Sequence, residues 1–220
     1  MLASELISYS IPPLKPSDTV QKSLDRMTEF KLSHMPIVNE SQFLGLLAED
    51  ELIEVRDVNS LIGSLSLSLL NPFVYEDTHV YDVIRMLTQL NLSAVPVLDY
   101  KKNYLGLISV NTLLSYAADI FAVKETGGII VLEISNRNNS LAHMAQIVEA
   151  DNAQILSSYV QAFPDSTKLE VTLKINKTEL SGIIASFERY NYQVKAVFNS
   201  TKADDGTEDR FNSFMNYLNV

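Results

Sequence analysis

The 220-residue sequence has no cysteine, no tryptophan and few basic residues. The absence of cysteine excludes disulfides, thiolate zinc sites and cysteine nucleophiles. Seventeen basic against twenty-seven acidic residues give a net charge of −10, which disfavours nucleic-acid and anionic membrane partners because both require clustered Lys and Arg. No apolar run approaches the roughly 18 residues of a spanning helix, and the N-terminus lacks the basic region of a signal peptide. We expect a cytoplasmic protein.

The sequence also lacks enzyme signatures. It has no P-loop, no dinucleotide-binding glycine motif and no nucleophile elbow. The three histidines lie in separate predicted elements: His34 is expected to line a wall before Pro36, while His79 and His143 are expected to face solvent near helix starts. The prediction is a chain that is not an enzyme, with no catalytic residue, no metal and no required cofactor. Its hydrophobic content of 46% nevertheless predicts a substantial folded core.

An internal repeat organises the first half of the sequence. A shift of 60 residues, with one residue added in the second copy near its end, aligns the following segments: Pro12 with Pro72, Leu32–Val38 with Leu92–Leu98, and Phe43–Leu47 with Tyr104–Ile108. Matched prolines, glycines and apolar classes over about fifty positions indicate two copies of one unit.

Each copy predicts the order helix–strand–strand–helix. Asp18 or Asp77 precedes an amphipathic run with helical spacing. The prolines Pro36 and Pro96 end these runs because the residue before a proline avoids the helical region. Two short apolar strands then form a hairpin, and a last helix begins near Glu49 in the first copy or Asn111 in the second. Two such copies are expected to share one core by pseudo-symmetry.

On these residues the first half resembles a tandem pair of cystathionine-β-synthase (CBS) domains, a Bateman module. The hallmarks are the prolines Pro36 and Pro96 before apolar strands, and the segments Gly45–Leu47 and Gly106–Ile108. The resemblance places the first unit at residues 1–59 and the second at residues 60–122.

The sequence pattern changes after Gly127. Strand and helix patterns over residues 126–198 follow the order βαββαβ, which predicts a ferredoxin-like plait and makes the whole chain an α/β (α+β) protein. The run resembles an ACT domain, with Asn136–Ala142 at the place of that family's acidic-x-Pro-Gly-x-Leu-Ala turn, although both the proline and the glycine are replaced. The domain order is similar to that of bacterial acetoin-utilisation accessory proteins.

Residues 199–220 complete the chain. Residues 199–206 have no apolar content and predict a linker. Glu208–Val220 is amphipathic and predicts a short helix that docks on its own subunit or a dimer partner, with recruitment of another protein as the alternative.

The CBS resemblance implies nucleotide binding in clefts between the paired units. In that family a hydroxyl after the apolar strand meets phosphate, and an aspartate three positions later holds the ribose. The matching positions are Ala48 and Glu51 in the first unit, and Ser109 and Thr112 in the second, so neither copy is intact. The nucleotide-site candidates are Ser109, Thr112, Lys101, Lys102, Pro72, Ala94, Val95 and Glu51.

Two alternatives stay open at these positions. Ser109 is either a phosphate-binding hydroxyl or only a helix N-cap, and Lys101 and Lys102 are either phosphate-binding cations or a solvated turn. The ACT resemblance implies a second ligand class, because that family binds amino acids beside the first strand-to-helix turn. There the candidates are Asn136 and Asn139, and the alternative is a module that only dimerises.

The function predicted from the sequence is therefore that of a non-catalytic regulatory protein. It is expected to form a homodimer, to sense a small metabolite such as an adenine nucleotide or an amino acid, and to act on an unknown target protein. The alternative is a constitutive dimeric scaffold whose ligand pockets are degenerate.

Overall fold

The structure is a computed structural model that describes residues 1–135, 140–164 and 167–199. The chain divides into two compact units, one spanning Met1–Tyr116 and one beginning at Ala117. The helices and strands of the repeat region are α1 (Val20–Phe30), β1 (His34–Asn39), β2 (Gln42–Ala48), α2 (Glu49–Ile53), β3 (Val74–Tyr75), α3 (Val80–Gln89), β4 (Ala94–Leu98), β5 (Tyr104–Ser109) and α4 (Val110–Ile120). Two short 3-10 helices, Ala3–Leu6 and Ile62–Ser64, precede the two copies.

The two copies have the same local structure. Strands β1 and β2 form an antiparallel hairpin, and so do β4 and β5, with an irregularity at the matched steps Ile37/Val38 and Val97/Leu98. Thr19 caps α1 and His79 caps α3, and each side chain accepts a hydrogen bond from a backbone N–H of the first turn. The predicted tandem pair and its helix–strand–strand–helix order are confirmed.

The copies exchange apolar residues, so that neither core is made by one copy alone. Leu46 of the first copy is buried in the cluster that holds Val95 and Ile108 of the second. Its counterpart Leu107 is buried in the cluster that holds Met35 of the first copy. The predicted shared core is therefore two clusters, each completed by one leucine from the opposite hairpin.

The segment that precedes the first helix of each copy contacts the hairpin of the other copy. The Ser8 N–H donates to the Leu107 carbonyl over 2.9 Å. This close approach depends on Gly106, where an added Cβ would lie 2.3 Å from the Cγ2 of Ile7 and where φ is +155°. Gly45 has the same role in the first copy, since its missing Cβ leaves room for Leu69.

The remaining elements form the predicted plait. They are β6 (Gly128–Ser135), α5 (Leu141–Ala150), β7 (Ile155–Ala162), β8 (Lys168–Ile175), α6 (Ser181–Arg189) and β9 (Gln193–Phe198). The antiparallel strands lie in the order β7-β8-β6-β9. Met144 of α5 and Phe187 of α6 pack with alternate residues of the central strands. The order βαββαβ and the mixed α/β fold class are confirmed, while the predicted C-terminal helix lies outside the described residues.

Asp18 is a buried carboxylate at the start of α1, with only 3% of its surface exposed. One oxygen lies 2.7 Å from the Lys22 ammonium, and the other accepts from the Lys15 N–H at 2.8 Å and lies 3.4 Å from the Arg26 guanidinium. Burial by itself raises the pKa of Asp18, but the hydrogen bonds from Lys22 and Lys15 and the charge of Arg26 together hold this pKa below its usual value.

We predict that Asp18 stabilises the fold at neutral pH and that this stabilisation is lost as the pH falls. A carboxyl whose pKa is lowered in the folded state contributes stability above its unfolded pKa and loses that contribution as the pH falls through the folded pKa. Asp18→Asn should lower the free energy of unfolding by about 1–3 kcal/mol at neutral pH, and the difference from wild type should shrink at acid pH. Urea unfolding across pH measures this, with the exposed Glu29→Gln as control; a difference that does not vary with pH would contradict it.

We also predict that Gly106→Ala displaces the segment that contains Ile7. The new Cβ would overlap Ile7, so the free energy of unfolding should fall by about 1–3 kcal/mol. The matched test is the same change in an Ile7→Ala background, where the overlapping methyl is gone and the cost should be smaller. An equal cost in both backgrounds would show that the contact with Ile7 is not its source.

Candidate functional site

Three hydroxyls meet at the start of α4 in the second copy of the repeat. Ser109, which is 3% exposed, ends β5, and its Oγ lies 2.9 Å from the Oγ1 of Thr112 and accepts from the Thr112 N–H at 3.1 Å. The Oγ1 of Thr112 lies 2.6 Å from the Oγ of Ser8. Ser109 therefore caps α4, as one of the two sequence alternatives predicts, and it does so within a chain of three hydroxyls.

The matched position of the first unit carries a carboxylate. A Glu51 oxygen accepts a hydrogen bond of 2.9 Å from the Ser68 N–H. Glu51 follows Glu49 and Asp50 in the short helix α2, whose first turn is wholly acidic. Acidic residues complement the partial positive charge of a helix N-terminus, and the same charges oppose a phosphate.

Both units thus share one arrangement. In each unit, the third residue after the hydroxyl position bonds to the segment that precedes the first helix of the other copy. Glu51 bonds to Ser68, and Thr112 bonds to Ser8. Ser8 and Ser68, which supply these contacts, are absent from the sequence-based candidates. A signal for them exists, because the 60-residue shift aligns Ser8 with Ser68, and each lies four positions before a proline.

Lys101 and Lys102 do not lie beside Ser109. They occupy the turn between β4 and β5, whereas Ser109 is the last residue of β5 and pairs with Ala94. A strand rises about 3.4 Å per residue, so the length of β5, roughly 17 Å, separates the two ends. The turn has its own bonds: Asp99 accepts from the Lys101 N–H at 2.8 Å, and Lys102 adopts a left-handed φ of 64°. Within one chain, both lysines therefore lie at the opposite end of β5 from Ser109, and their part in phosphate binding stays a prediction.

The other candidates differ in their exposure. Ala94 and Val95 have no exposed surface because they fill the two core clusters, and their contact with a ligand stays a prediction. Pro72 is half-buried in the segment before β3. Asn136 and Asn139 lie outside the described residues.

His34 joins the hairpins of the two copies. Its backbone N–H donates to the Ser93 Oγ at 2.9 Å, and its Nδ1 accepts from the Ser93 N–H at 3.3 Å. Burial lowers the pKa of His34, while the charge of Asp50 raises it by a smaller amount. With this pattern the neutral ring is favoured at neutral pH, and its role is a structural acceptor between the repeats.

His143 is half-buried, which corrects the expectation that it faces solvent. Its Nδ1 lies 2.8 Å from the Tyr192 hydroxyl, and its ring packs edge-on against Tyr190. His79 is exposed at the start of α3, as expected. In the part of the chain that the structure describes, no three acidic or histidine side chains are close enough to hold a metal ion. Within the same ranges, no helix combines the length and apolar character needed to cross a bilayer.

The chemistry of the Ser109 site is that of neutral hydrogen bonding. Three hydroxyls, each able to donate and accept, lie at the N-terminus of an 11-residue helix. Such a site suits an oxygen-rich neutral or anionic group, and it has no nucleophile–base pair of the kind that covalent catalysis needs.

Several solved structures have a similar fold. A CBS domain pair/ACT domain protein from Thermotoga maritima shares 20% identity and a TM-score of 0.47, over 53% of this chain and 96% of that one. The CBS domains of a transcriptional regulator from Streptococcus pneumoniae share 18% identity and a TM-score of 0.47, over 52% and 98%. CBSX2, solved in complex with AMP, shares 17% identity and a TM-score of 0.47, over 56% and 98%.

Comparison with known protein families matches two segments, residues 3–58 and residues 69–119, to the CBS domain. They coincide with the two copies of the sequence repeat and with the two hairpins that exchange leucines. These two segments therefore match the CBS domain as a tandem pair.

Proposed function

We propose that the chain is a non-catalytic regulatory protein of the cytoplasm whose CBS pair binds an adenine nucleotide in the second unit. CBS domain pairs in general bind adenine nucleotides and regulate partner proteins. The observation that carries the proposal is the Ser109 hydroxyl, which lies at the helix N-terminus where the family places its phosphate contact.

The second unit is favoured over the first by charge. Ser109, Thr112 and Ser8 are linked by hydrogen bonds between their hydroxyls, and none of the three is charged. The first unit has Ala48 at the hydroxyl position and an acidic turn, Glu49–Glu51, directly after it. Like charges this close oppose a phosphate, so the nucleotide site belongs to the second unit.

A specific observation also supports the alternative of a constitutive scaffold. The residues at the two ribose positions, Glu51 and Thr112, already bond to Ser68 and Ser8 of the same chain. A ribose must compete with these internal bonds, and Thr112 offers one hydroxyl where the family has a carboxylate. Under this alternative both pockets are closed by their own chain, and the molecule acts through its surface.

We predict that Thr112→Asp strengthens nucleotide binding. The carboxylate restores the acceptor pair that a ribose diol requires, and a charged hydrogen bond of this kind should lower the Kd for AMP by about tenfold. Isothermal titration with AMP, ADP and ATP measures the change. The matched control is Thr88→Asp, which places the same charge on the exposed face of α3.

Ser109→Ala in the Thr112→Asp background should abolish the gain, because the phosphate loses its hydroxyl contact. The two hypotheses differ in the outcome for the wild-type chain. If neither the wild type nor Thr112→Asp binds any of the three nucleotides, the sensing proposal fails and the scaffold remains.

For residues 126–198 we propose an ACT-type module that binds an amino acid through Asn136 and Asn139. Its support is the plait with the strand order β7-β8-β6-β9 and the position of these asparagines between β6 and α5. The similarity of domain order to acetoin-utilisation accessory proteins stays a prediction, as do the boundaries at residues 59, 122 and 198.

We further propose that the protein is a homodimer paired through β7. This edge strand has eight residues and contains no charged residue, proline or glycine. Among the described residues it pairs only with β8, and Tyr159 and Val160 are more than 40% exposed. Natural edge strands are protected by charges, prolines or bulges, and of these β7 has only an irregularity near its start, between Ile155 and Ser157. Antiparallel pairing with a second β7 satisfies the edge and closes by two-fold symmetry.

We predict that Val160→Lys disrupts this dimer. A lysine on each copy places like charges at the two-fold pairing, so light scattering should change from twice 24.6 kDa to a single chain at micromolar concentration. The control is Gln193→Lys on β9, the opposite edge of the sheet. A wild-type chain that is monomeric, or a Val160→Lys variant that stays dimeric, would contradict pairing through β7.

A further inference from the structure

A groove of about 360 Å³ opens in the first CBS unit, at the hairpin end of β1. We name it the Pro16 groove, and its lining residues are Pro13, Lys15, Pro16, Ser17, Val38, Asn39 and Glu40. The groove lies away from the proposed nucleotide chemistry, because Asn39 pairs with Gln42 at the turn of the hairpin while Ala48 pairs with His34 at the other end. Its volume is within the range of small-molecule sites.

The internal repeat explains why the groove is open. In the second unit the Glu76 N–H donates to the Leu98 carbonyl over 3.1 Å and holds β3 against the end of β4. The 60-residue shift places Pro16 at the position of Glu76. Proline has no N–H, so this bond cannot form. In the first unit, the segment that matches β3 makes its last backbone bond to β1 at Leu14, whose carbonyl accepts from the Val38 N–H at 2.8 Å.

The structure itself supports this register. The Lys15 N–H donates to the Asp18 side chain at 2.8 Å, and the Tyr75 N–H donates to the Thr78 side chain at 3.1 Å. The two donor residues are 60 positions apart in the sequence, and so are the two acceptor residues. Lys15 is therefore the structural counterpart of Tyr75.

In the second unit, two tyrosines stand at the positions that match Lys15 and Glu40. Tyr75 and Tyr100 stack there with ring centroids 5.0 Å apart and an interplanar angle of 19°. The Tyr100 hydroxyl donates to Asp77. At the matched positions the first unit has Lys15, Glu40 and Ser17, so both rings and the carboxylate are replaced.

We propose that the Pro16 groove binds a free aromatic amino acid. The ligand ring takes the place of the tyrosine rings, against the apolar walls of Pro13 and Pro16. Lys15 contacts the ligand carboxylate and Glu40 contacts its ammonium group, as charge-assisted hydrogen bonds. Both side chains belong to exposed residues, and neither makes an ion pair within the described ranges. This site goes beyond the proposed nucleotide function and does not depend on it.

The sequence provides a clean assay, because the chain contains no tryptophan. L-Tryptophan can be excited at wavelengths that tyrosine does not absorb, so all of its emission comes from the ligand. Titrating the full-length protein into L-tryptophan should raise the fluorescence anisotropy to saturation. No change in anisotropy at any protein concentration would overturn the proposal.

Substitutions in the groove locate the site. Lys15→Met keeps the side-chain length, removes the charge and should raise the Kd by about tenfold. The matched control is Lys31→Met, at the end of α1, which should bind as the wild type does. The double variant Lys15→Tyr with Glu40→Tyr rebuilds the ring pair of the second unit and should abolish binding. Unfolding curves verify that each variant folds, and unchanged binding by the folded double variant would place the ligand elsewhere.

A second ligand tests the zwitterion. N-Acetyl-L-tryptophan amide has the same ring without either charge and should bind at least tenfold more weakly than L-tryptophan. Equal affinity would overturn the proposal of a free amino acid and indicate an aromatic side chain of a protein partner. Nucleotide titration of the same variants keeps the outcomes separate, because Lys15→Met leaves the Ser109 site intact.

Discussion

The structure of the CBS pair depends on the exchange of one leucine from each copy into the core of the other. Leu46 is buried in the core of the second copy and Leu107 in the core of the first, so removing either hairpin leaves a cavity in the opposite core. Burying a leucine contributes about 1.5–3 kcal/mol, and the two exchanged leucines couple the copies as one folding unit. The short segments before each copy add to this exchange, since Ala3 and Leu6 pack in the second core and Ile62 packs in the first.

The same exchange builds the candidate ligand site. The segment that reaches Gly106 also brings Ser8 to Thr112, and the segment that reaches Gly45 also brings Ser68 to Glu51. A ligand that displaces either contact must therefore move a segment that belongs to the opposite core. This linkage offers a route from binding to a change in the relative arrangement of the repeats, because a ligand shifts an equilibrium only through its different affinity for the two states.

The two repeats have diverged in what they leave open. The second unit has two stacked tyrosines at its hairpin end and has Ser109 at the helix N-terminus. The first unit has an acidic α2 and a proline that ends strand pairing early, and a groove lies there instead. Duplication thus produced two different surfaces on one scaffold, and the charges at each surface favour different ligands.

The repeat, the order of elements and the plait could all be predicted from the sequence, because they follow from local causes. Apolar spacing separates helix from strand, Pro36 and Pro96 lie in the first strand of each hairpin, and Gly45 and Gly106 lie in the second. The hydroxyl positions Ser109 and Thr112 followed from the family pattern. What the sequence could not determine was which residues meet across long separations. The placement of Lys101 and Lys102 away from Ser109, the contacts of Ser8 and Ser68, and the burial of Ala94, Val95 and His143 all depend on strand direction and on the exchange between copies. Only the tertiary structure decided them, because side-chain neighbours more than a few residues apart are set by packing of the whole unit and not by local periodicity.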